Sequence, residues 1–583
     1  MKAVFVSKNL DIANQANHGP DNEIHVFTQF FVHRQGFRND ELRFCLASNL
    51  SNPYLTKIHL LNERIYTNQE LGLSDETATA MSDRLVQYDT GGKRLTPQII
   101  LQYIRERGIR GYFIFTNADI FFDETIRYLL ASTIHEEKKF LALLRYEYKG
   151  TNSTPFMMMG PKRPAKNACP LFGPRFDSQD TWIFHSKFVP KEHQEKAFAY
   201  EFGKPGIDNK MVYLMRILGF EPINDPQTIR TYHYQRSITR DYSPQEALPK
   251  PWAVISPAGV NPMAIPPSLN INLQDVFKVT NGFQIGMFDD STILYRYIHD
   301  KLQADSPFVI PRIAGIENNM AVFTRIKKET GRGDFDPYFQ QVLPAMKTNA
   351  GIFLSNVNSL ISYSDLYLKA FENCDIYTGW EVQGEVYKHI AQSHDYLKNQ
   401  LAASNKQMLW AFALDAFHYV YDSTCWTKAL RGKRILIISP FVDSIKEKID
   451  IRSRLYDGVD LFPDCTFVFA KPPQTQGSQP SSDFLVELER FKGELNKVAD
   501  QYDVALVSCG GYGNLICNYI YETHKKSAIY VGGVLQMFFG ILGGRWLKER
   551  PDVLRLFMNE YWSRPKESER PAGHNQIENG CYW

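Results

Sequence analysis

The sequence predicts an α/β protein with two sandwich domains built on largely parallel sheets, and three observations carry that reading. Short apolar runs of strand length alternate with helix-like runs in both halves of the chain. At 583 residues the chain is too long for one ordinary domain. Between the two blocks lies Pro249–Leu273, which holds six prolines and a single charge, Lys250. The expected division is a first domain over 1–250, a proline-rich linker over 251–280 and a second domain over 281–583.

In the first block the alternation runs through Lys2–Val6, His25–Val32, Thr56–Asn62, Pro97–Arg107, Tyr112–Phe115, Asp123–Ser132 and Phe140–Tyr146. In the second block Ser306–Ile310, Arg434–Ser439, Thr466–Ala470, Val504–Ser508 and Ala528–Val531 read as buried parallel strands, and Gln340–Ala350 and Ser364–Glu372 as helices. The segment Ser527–Gly544 lacks charge for eighteen residues but holds five glycines and Gln536, so a strand, a glycine turn and a short buried helix explain it better than a membrane span. The tail from Asn559 is rich in aromatic, Arg and Pro residues and is expected to pack on its domain.

Composition narrows the function classes. Basic and acidic residues nearly balance, 66 against 64, which argues against a nucleic-acid partner. The eight cysteines show no CxxC spacing and read as reduced, buried thiols of a cytoplasmic protein without zinc. No signal-peptide architecture opens the sequence. Peripheral membrane contact and any oligomeric state stay open.

The most informative segment is Gly111–Asp123, GYFIFTNADIFFD. An apolar strand there releases Asn117 and Asp119 at its carboxyl end, where open α/β sheets bind ligands. A carboxylate in that place suits a hard cation shared with substrate phosphates. Three further segments become sensible beside it. Asp180 immediately precedes an apolar strand, Asp208 and Asn209 follow a Gly-Pro-Gly-type loop at a helix start, and His233 stands in a short alternating run. Asp119 and His233 with a diphosphate would make an Mn²⁺ or Mg²⁺ site, while a second carboxylate handles the acceptor proton. The competing readings are ordinary: Asp119, Asp180 and Asp208 as helix caps or turn residues, and His233 as a hydrogen-bonded core histidine.

Residues 23–240 resemble the GT-A-type nucleotide-sugar glycosyltransferases. Asn117-Ala118-Asp119 matches their DxD motif with Asn in place of the first acid, and SQDTWIF (178–184), GIDN (206–209) and YHYQR (232–236) follow in order. The resemblance implies a Rossmann-like fold, donor contacts from Asn117, Asp119 and Asn209, and Asp119 and His233 as metal ligands. It makes Asp180 the first choice for the acceptor-side acid and Asp208 the second.

In the second half, Val504–Asn514 runs from a buried strand into a glycine turn and a helix, the arrangement in which backbone N–H groups approach a phosphate. A dinucleotide fold is disfavoured, because Ile516 stands at the third glycine position of GxGxxG and no acid follows the next strand. From about Ser306 to Trp583 the chain resembles the GT-D-type glycosyltransferases. The matching strings are CGGYGN (509–514), GGVLQMFFGILGGRW (532–546), NEYW (559–562) and ERPAGHNQIENGCYW (569–583). Arg312 and Glu317 correspond to the ends of that group's Arg-x-Gly-Asp-Gly-Glu segment, but Gly315 replaces its Asp. The resemblance implies a donor site at Arg312, Gly511, Tyr512, Gly513, Asn514 and Gln536, with Glu317 catalytic. Arg545, Arg564 and Arg570 are the candidates for holding the diphosphate without a metal.

Together these readings describe a two-domain glycosyltransferase that passes sugars from nucleotide-sugar donors, expected to be UDP-linked, to a glycan or lipid-linked glycan acceptor. The alternatives are a chain whose first domain alone is catalytic, a glycan-binding scaffold, and a metal-dependent hydrolase or phosphotransferase.

Overall fold

The computed structural model describes residues 19–148, 169–173, 175–235, 244–249, 251–258, 276–280, 283–285, 287–331, 335–380, 388–577 and 580–583. The expected strand Lys2–Val6 lies outside them. The chain divides into two compact units, Met1–Ile285 and Gly286–Trp583. Both are Rossmann-like α/β sandwiches.

In the first unit the main sheet contains β1 (Ile24–Thr28), β2 (Lys57–Asn62), β3 (Leu85–Asp89) and β4 (Tyr112–Thr116). Next along the chain come β5 (Ile120–Phe122), β6 (Lys139–Leu143), β7 (Tyr146–Glu147), β8 (Thr181–His185), β9 (Glu221–Ile223) and β10 (Thr231–His233). The main order is β3-β2-β1-β4-β8-β6-β9, while β5-β10-β7 form a small second sheet. Every pairing in the large sheet is parallel except those of β8, which runs antiparallel to both β4 and β6. β1 and β4 are buried throughout, as uncharged β-branched and aromatic runs between helix layers should be. The helix Pro97–Arg107 shows the local logic: Thr96 caps it by accepting from Ile99 N at 3.1 Å, Pro97 opens it, and Gly108 ends it at φ 61°.

The proline-rich stretch differs from expectation. Trp252–Ser256 (β11) is a strand with a buried centre, and it pairs in a third sheet with β12 (Val276–Thr280), which pairs with β13 (Phe283–Ile285). Its run of β-formers, WAVIS, outweighs the flanking prolines. Residues 259–275 lie outside the description.

The second unit is built on β14 (Val309–Ile310), β15 (Ile376–Gly379), β16 (Gln407–Trp410), β17 (Arg434–Ile438), β18 (Thr466–Ala470), β19 (Val504–Val507) and β20 (Ser527–Tyr530). Its five-stranded sheet has the order β14-β20-β19-β17-β18 and is parallel throughout. Ser527–Gly544 resolves into β20, the Gly532-Gly533 turn and the buried helix Leu535–Phe538. No helix among the described residues is long and apolar enough to cross a membrane. All eight cysteines are buried free thiols.

The tail packs down as its aromatic content predicts. Trp562 donates from Nε1 to Leu455 O at 3.1 Å. Glu569, fully buried, accepts from the Asp443 and Ser444 amides at 2.8 and 3.1 Å and from the Ser444 hydroxyl, capping the helix Val442–Lys446. Glu569→Ala would strand these donors, at a cost of about 3 kcal/mol. The expected result is a melting temperature lower by about 5 °C, with new protease cleavage beyond residue 560 in a limited digest.

Candidate active site

In the first unit the carboxyl ends of β1, β2 and β4 open into a cleft of about 780 Å³. Thr28 at the end of β1, Glu63 after β2, and Asn117 and Asp119 after β4 line it, as do Asp180, Asp208, Asn209 and His233. All six of the residues singled out in this half by the sequence therefore face one space, at the ligand edge of a parallel sheet.

The small sheet holds the first group. β10 pairs antiparallel with β5 and parallel with β7, which sets His233 opposite Ile120 on one side and Glu147 on the other. Tyr234 N donates to Asp119 O at 3.0 Å and ties the Asp119 loop to β10. As a result His233 Nε2 lies 3.3 Å from Asp119 Oδ2, and its Nδ1 lies 3.0 Å from Glu147 Oε2. Burial pulls the imidazolium pKa down, but the two carboxylates outweigh it and lift it to about 9. Burial likewise opposes ionisation of Asp119, yet His233 and Arg38 hold its carboxyl well below the usual range. Helix capping does not occupy Asp119. That role falls to Asp123, which accepts from Thr125 N at 2.9 Å.

The antiparallel run of β8 supplies the second group. Thr181 pairs with Thr116, so Asp180, just before β8, lies beside Asn117, just after β4. Asn117 Nδ2 donates to Asp180 Oδ1 at 2.8 Å, and the Arg145 guanidinium pairs with Asp180 Oδ2. Arg145 Nε also reaches Glu147 Oε1 at 2.8 Å. The contacts close a circuit: Asp119, His233, Glu147, Arg145, Asp180, Asn117 and back along the loop to Asp119. Each charge in it is flanked by its opposite, which fixes the side chains before any ligand arrives.

Asp208 stands outside this circuit. Gly206, at φ 84°, is the N-cap of the helix Ile207–Ile217, and Asp208 turns its carboxylate to the Gln179 amide, 3.1 Å from Oδ2. No lysine or arginine forms an ion pair with it among the described residues. Burial, reinforced by the charge of Asp180, raises its pKa to about 7. Asn209, 5% exposed, has a buried Oδ1 without a hydrogen-bond partner, as has Gln179 at Oε1.

Asp119 Oδ2 and His233 Nε2, once deprotonated, are the two atoms here that could serve as ligands to a divalent cation. Ligands about 2.1 Å from an octahedral ion stand about 3 Å apart when adjacent, near the separation of Asp119 Oδ2 from His233 Nε2. Glu147 occupies the other ring nitrogen and fixes its orientation, the usual support for a ligating histidine. Among the described residues no group of three His, Cys, Asp or Glu side chains converges for a metal, so substrate oxygens would have to complete the shell.

Arg38, Arg145, Glu147 and Gln179 did not emerge from the sequence. Arg145 and Glu147 follow the end of β6 as Asp119 follows β4, and the same signal could have flagged them. Arg38 has only one: a cation in the first turn of the helix Gly36–Ser51, where the dipole disfavours it.

The second-unit candidates are distributed differently. Gly511 and Gly513 lie against protein: a Cβ would stand 2.4 Å from Ile352 Cγ1 at the first and 2.3 Å from the Tyr530 ring at the second. Tyr512 is buried, and Tyr363 Oη donates to Gly511 O at 2.6 Å. Asn514 clasps the Arg312 backbone, accepting from its N at 3.1 Å and donating to its O at 2.9 Å. Gln536 donates to Ile541 O at 3.2 Å. Arg564 donates to Trp583 O, and Arg570 pairs with Glu567. These contacts occupy the residues structurally, except that Tyr512 Oη and Gln536 Oε1 are buried without a hydrogen-bond partner. Arg312 is different: it stacks 4.5 Å over Trp380, donates to Val531 O at 2.6 Å and leaves a buried Nε unpartnered. Burial and the charge of Arg545 lower its pKa, against the pull of Asp415. Glu317 lies in the first turn of Ile316–Thr330, within electrostatic reach of Tyr363 and Tyr530, and Gly315 is that helix's N-cap.

No protein-family model and no curated protein matches the chain. Among solved structures it is similar to the mannosyltransferase PcManGT from Pyrobaculum calidifontis in complex with GDP-Man and Mn²⁺, with 11% identity and a TM-score of 0.25 over 39% of this chain and 61% of that one. It is also similar to a 4-diphosphocytidyl-2C-methyl-D-erythritol synthase, with 12% identity and a TM-score of 0.20 over 39% of this chain and 95% of that one. The chain thus spans 61% of the length of the mannosyltransferase.

Proposed function

We propose that the first unit is a GT-A-like glycosyltransferase acting on a nucleotide-sugar donor, UDP-linked in our reading. One observation carries this: Asp119 and His233 meet at cation-ligand spacing beside a carboxyl poised near neutrality, at the ligand edge of the sheet. Asp119, and His233 once its Nε2 proton is released to solvent, would hold Mn²⁺ or Mg²⁺, whose charge would offset that of the leaving diphosphate. Asn117 and Asn209 face the donor. Between the two acids, the geometry favours Asp208 over Asp180 as the base for the acceptor hydroxyl. Both Asp180 oxygens are committed to Asn117 and Arg145, whereas Asp208 titrates near the working pH. Asp180 then acts as a positioning residue. The acceptor is a glycan or lipid-linked glycan.

For the second unit we propose a GT-D-like fold centred on Arg312, with Glu317 and Arg545 nearby, adding a second sugar. The reading in which it only positions acceptor is favoured by one observation: the CGGYGN turn is filled by Ile352 and Tyr530, which leaves no backbone cradle there.

A thermal-shift panel of nucleotide sugars with Mn²⁺ tests the donor reading, followed by product analysis with and without glycan acceptors. Stabilisation by a nucleotide sugar and acceptor-dependent product are expected. Absence of any shift across the panel refutes the reading, and turnover equal with and without acceptor replaces transferase by hydrolase.

A further inference from the structure

We propose that Arg38 is a resident counter-charge of Asp119, and that it yields this carboxylate on donor binding and turns its guanidinium to the diphosphate. The inference rests on the nucleotide-sugar reading above. Arg38 Nη2 lies 2.6 Å from Asp119 Oδ2, the same oxygen that His233 Nε2 approaches at 3.3 Å. A cation arriving at that oxygen therefore competes with two internal ones, Arg38 and the His233 imidazolium. Arg38 lines the cleft, and its other arm, Nη1, is held 2.7 Å from the buried Glu41 carboxylate. Releasing Nη2 leaves that anchor intact, so the guanidinium can pivot instead of leaving the site. Its placement breaks a local rule, being a cation in the first turn of a 16-residue helix, and such exceptions collect at functional sites. A planar guanidinium is also the side chain best shaped to grip a diphosphate at two oxygens.

Two consequences follow. A metal ion alone binds weakly, because Arg38 competes for Asp119 along with the His233 proton, and nucleotide and metal strengthen each other reciprocally. Titration of the full chain with Mn²⁺, read by the electron paramagnetic resonance of the free ion, tests both, with and without UDP or GDP. In the unchanged protein the nucleotide should raise Mn²⁺ affinity about tenfold. Arg38→Gln should bind Mn²⁺ alone about tenfold more tightly than the unchanged protein, gain little from nucleotide, and bind the nucleotide itself more weakly. Arg38→Lys, which keeps the charge without the fork, should fall between and serves if the Gln variant does not fold. Unchanged or weaker Mn²⁺ binding by both variants overturns the proposal while leaving the donor site standing. Failure of the unchanged protein to bind Mn²⁺ and both nucleotides removes the donor reading and this inference with it.

Discussion

Asp208→Asn is expected to lower sugar transfer by about 10³-fold while raising the melting temperature of the protein. The two effects share one cause. Asp208 is pushed up to about 7 by burial and by the nearby Asp180 charge. In the unfolded chain the same carboxyl titrates near 4. The folded state therefore holds the proton more tightly, and stability falls as pH rises between those values. Above pH 7 the ionised group costs the fold about 2–4 kcal/mol. Asparagine keeps the shape and the bond to the Gln179 amide without the charge. The gain in melting temperature should be full above pH 7 and vanish near pH 4. Transfer runs the opposite way: a base must be unprotonated, so kcat/KM in the unchanged protein should drop tenfold per pH unit below about 7 and level off above it. Nucleotide-sugar binding should survive the substitution. A variant that keeps its activity, or an Asp180→Asn variant that is equally inactive with the same loss of the pH profile, would return the base to Asp180.

Much of this site was legible because apolar strands announce where they end. Asp119 follows β4, and its position after an uncharged aromatic run was enough to place it at the ligand edge. Asp180 was legible as a residue but not as a neighbour. In a parallel sheet a residue preceding a strand sits at the opposite edge, and only the reversed direction of β8 brings it to Asn117. No periodicity reports strand direction. The pairing of the small sheet was equally hidden: the short alternating run around His233 does not name its partners, and a three-residue strand such as Ile120–Phe122 is too short for an alternation pattern. The glycine turn after β19 shows the converse. Glycines mark close approach to a backbone, and the letters do not say whether the approaching group is a phosphate or, as at Gly511 and Gly513, another side chain.

Asp119→Asn in the full chain is expected to abolish the dependence of nucleotide binding on Mn²⁺ and to lower the first transfer by 10³-fold or more. The substitution keeps the volume and one oxygen for Arg38, so the fold should persist. What it removes is the negative charge between two cations, Arg38 and His233. His233 loses the partner that most raises its pKa, which should fall from about 9 toward its ordinary value, visible in the imidazole proton shifts. The same variant separates the two units. Supplied with the product of the first transfer, it should still complete a second addition if the second unit is an enzyme, and Arg312→Gln should then stop that addition alone. Arg312 is the right residue to change, because it is a buried guanidinium with an unpartnered Nε beside Trp380. If Arg312→Gln leaves every product unchanged and only raises the KM for acceptor, the second unit positions substrate. If Asp119→Asn still transfers at the original rate without metal, the cation-assisted departure of the diphosphate is wrong for the first unit.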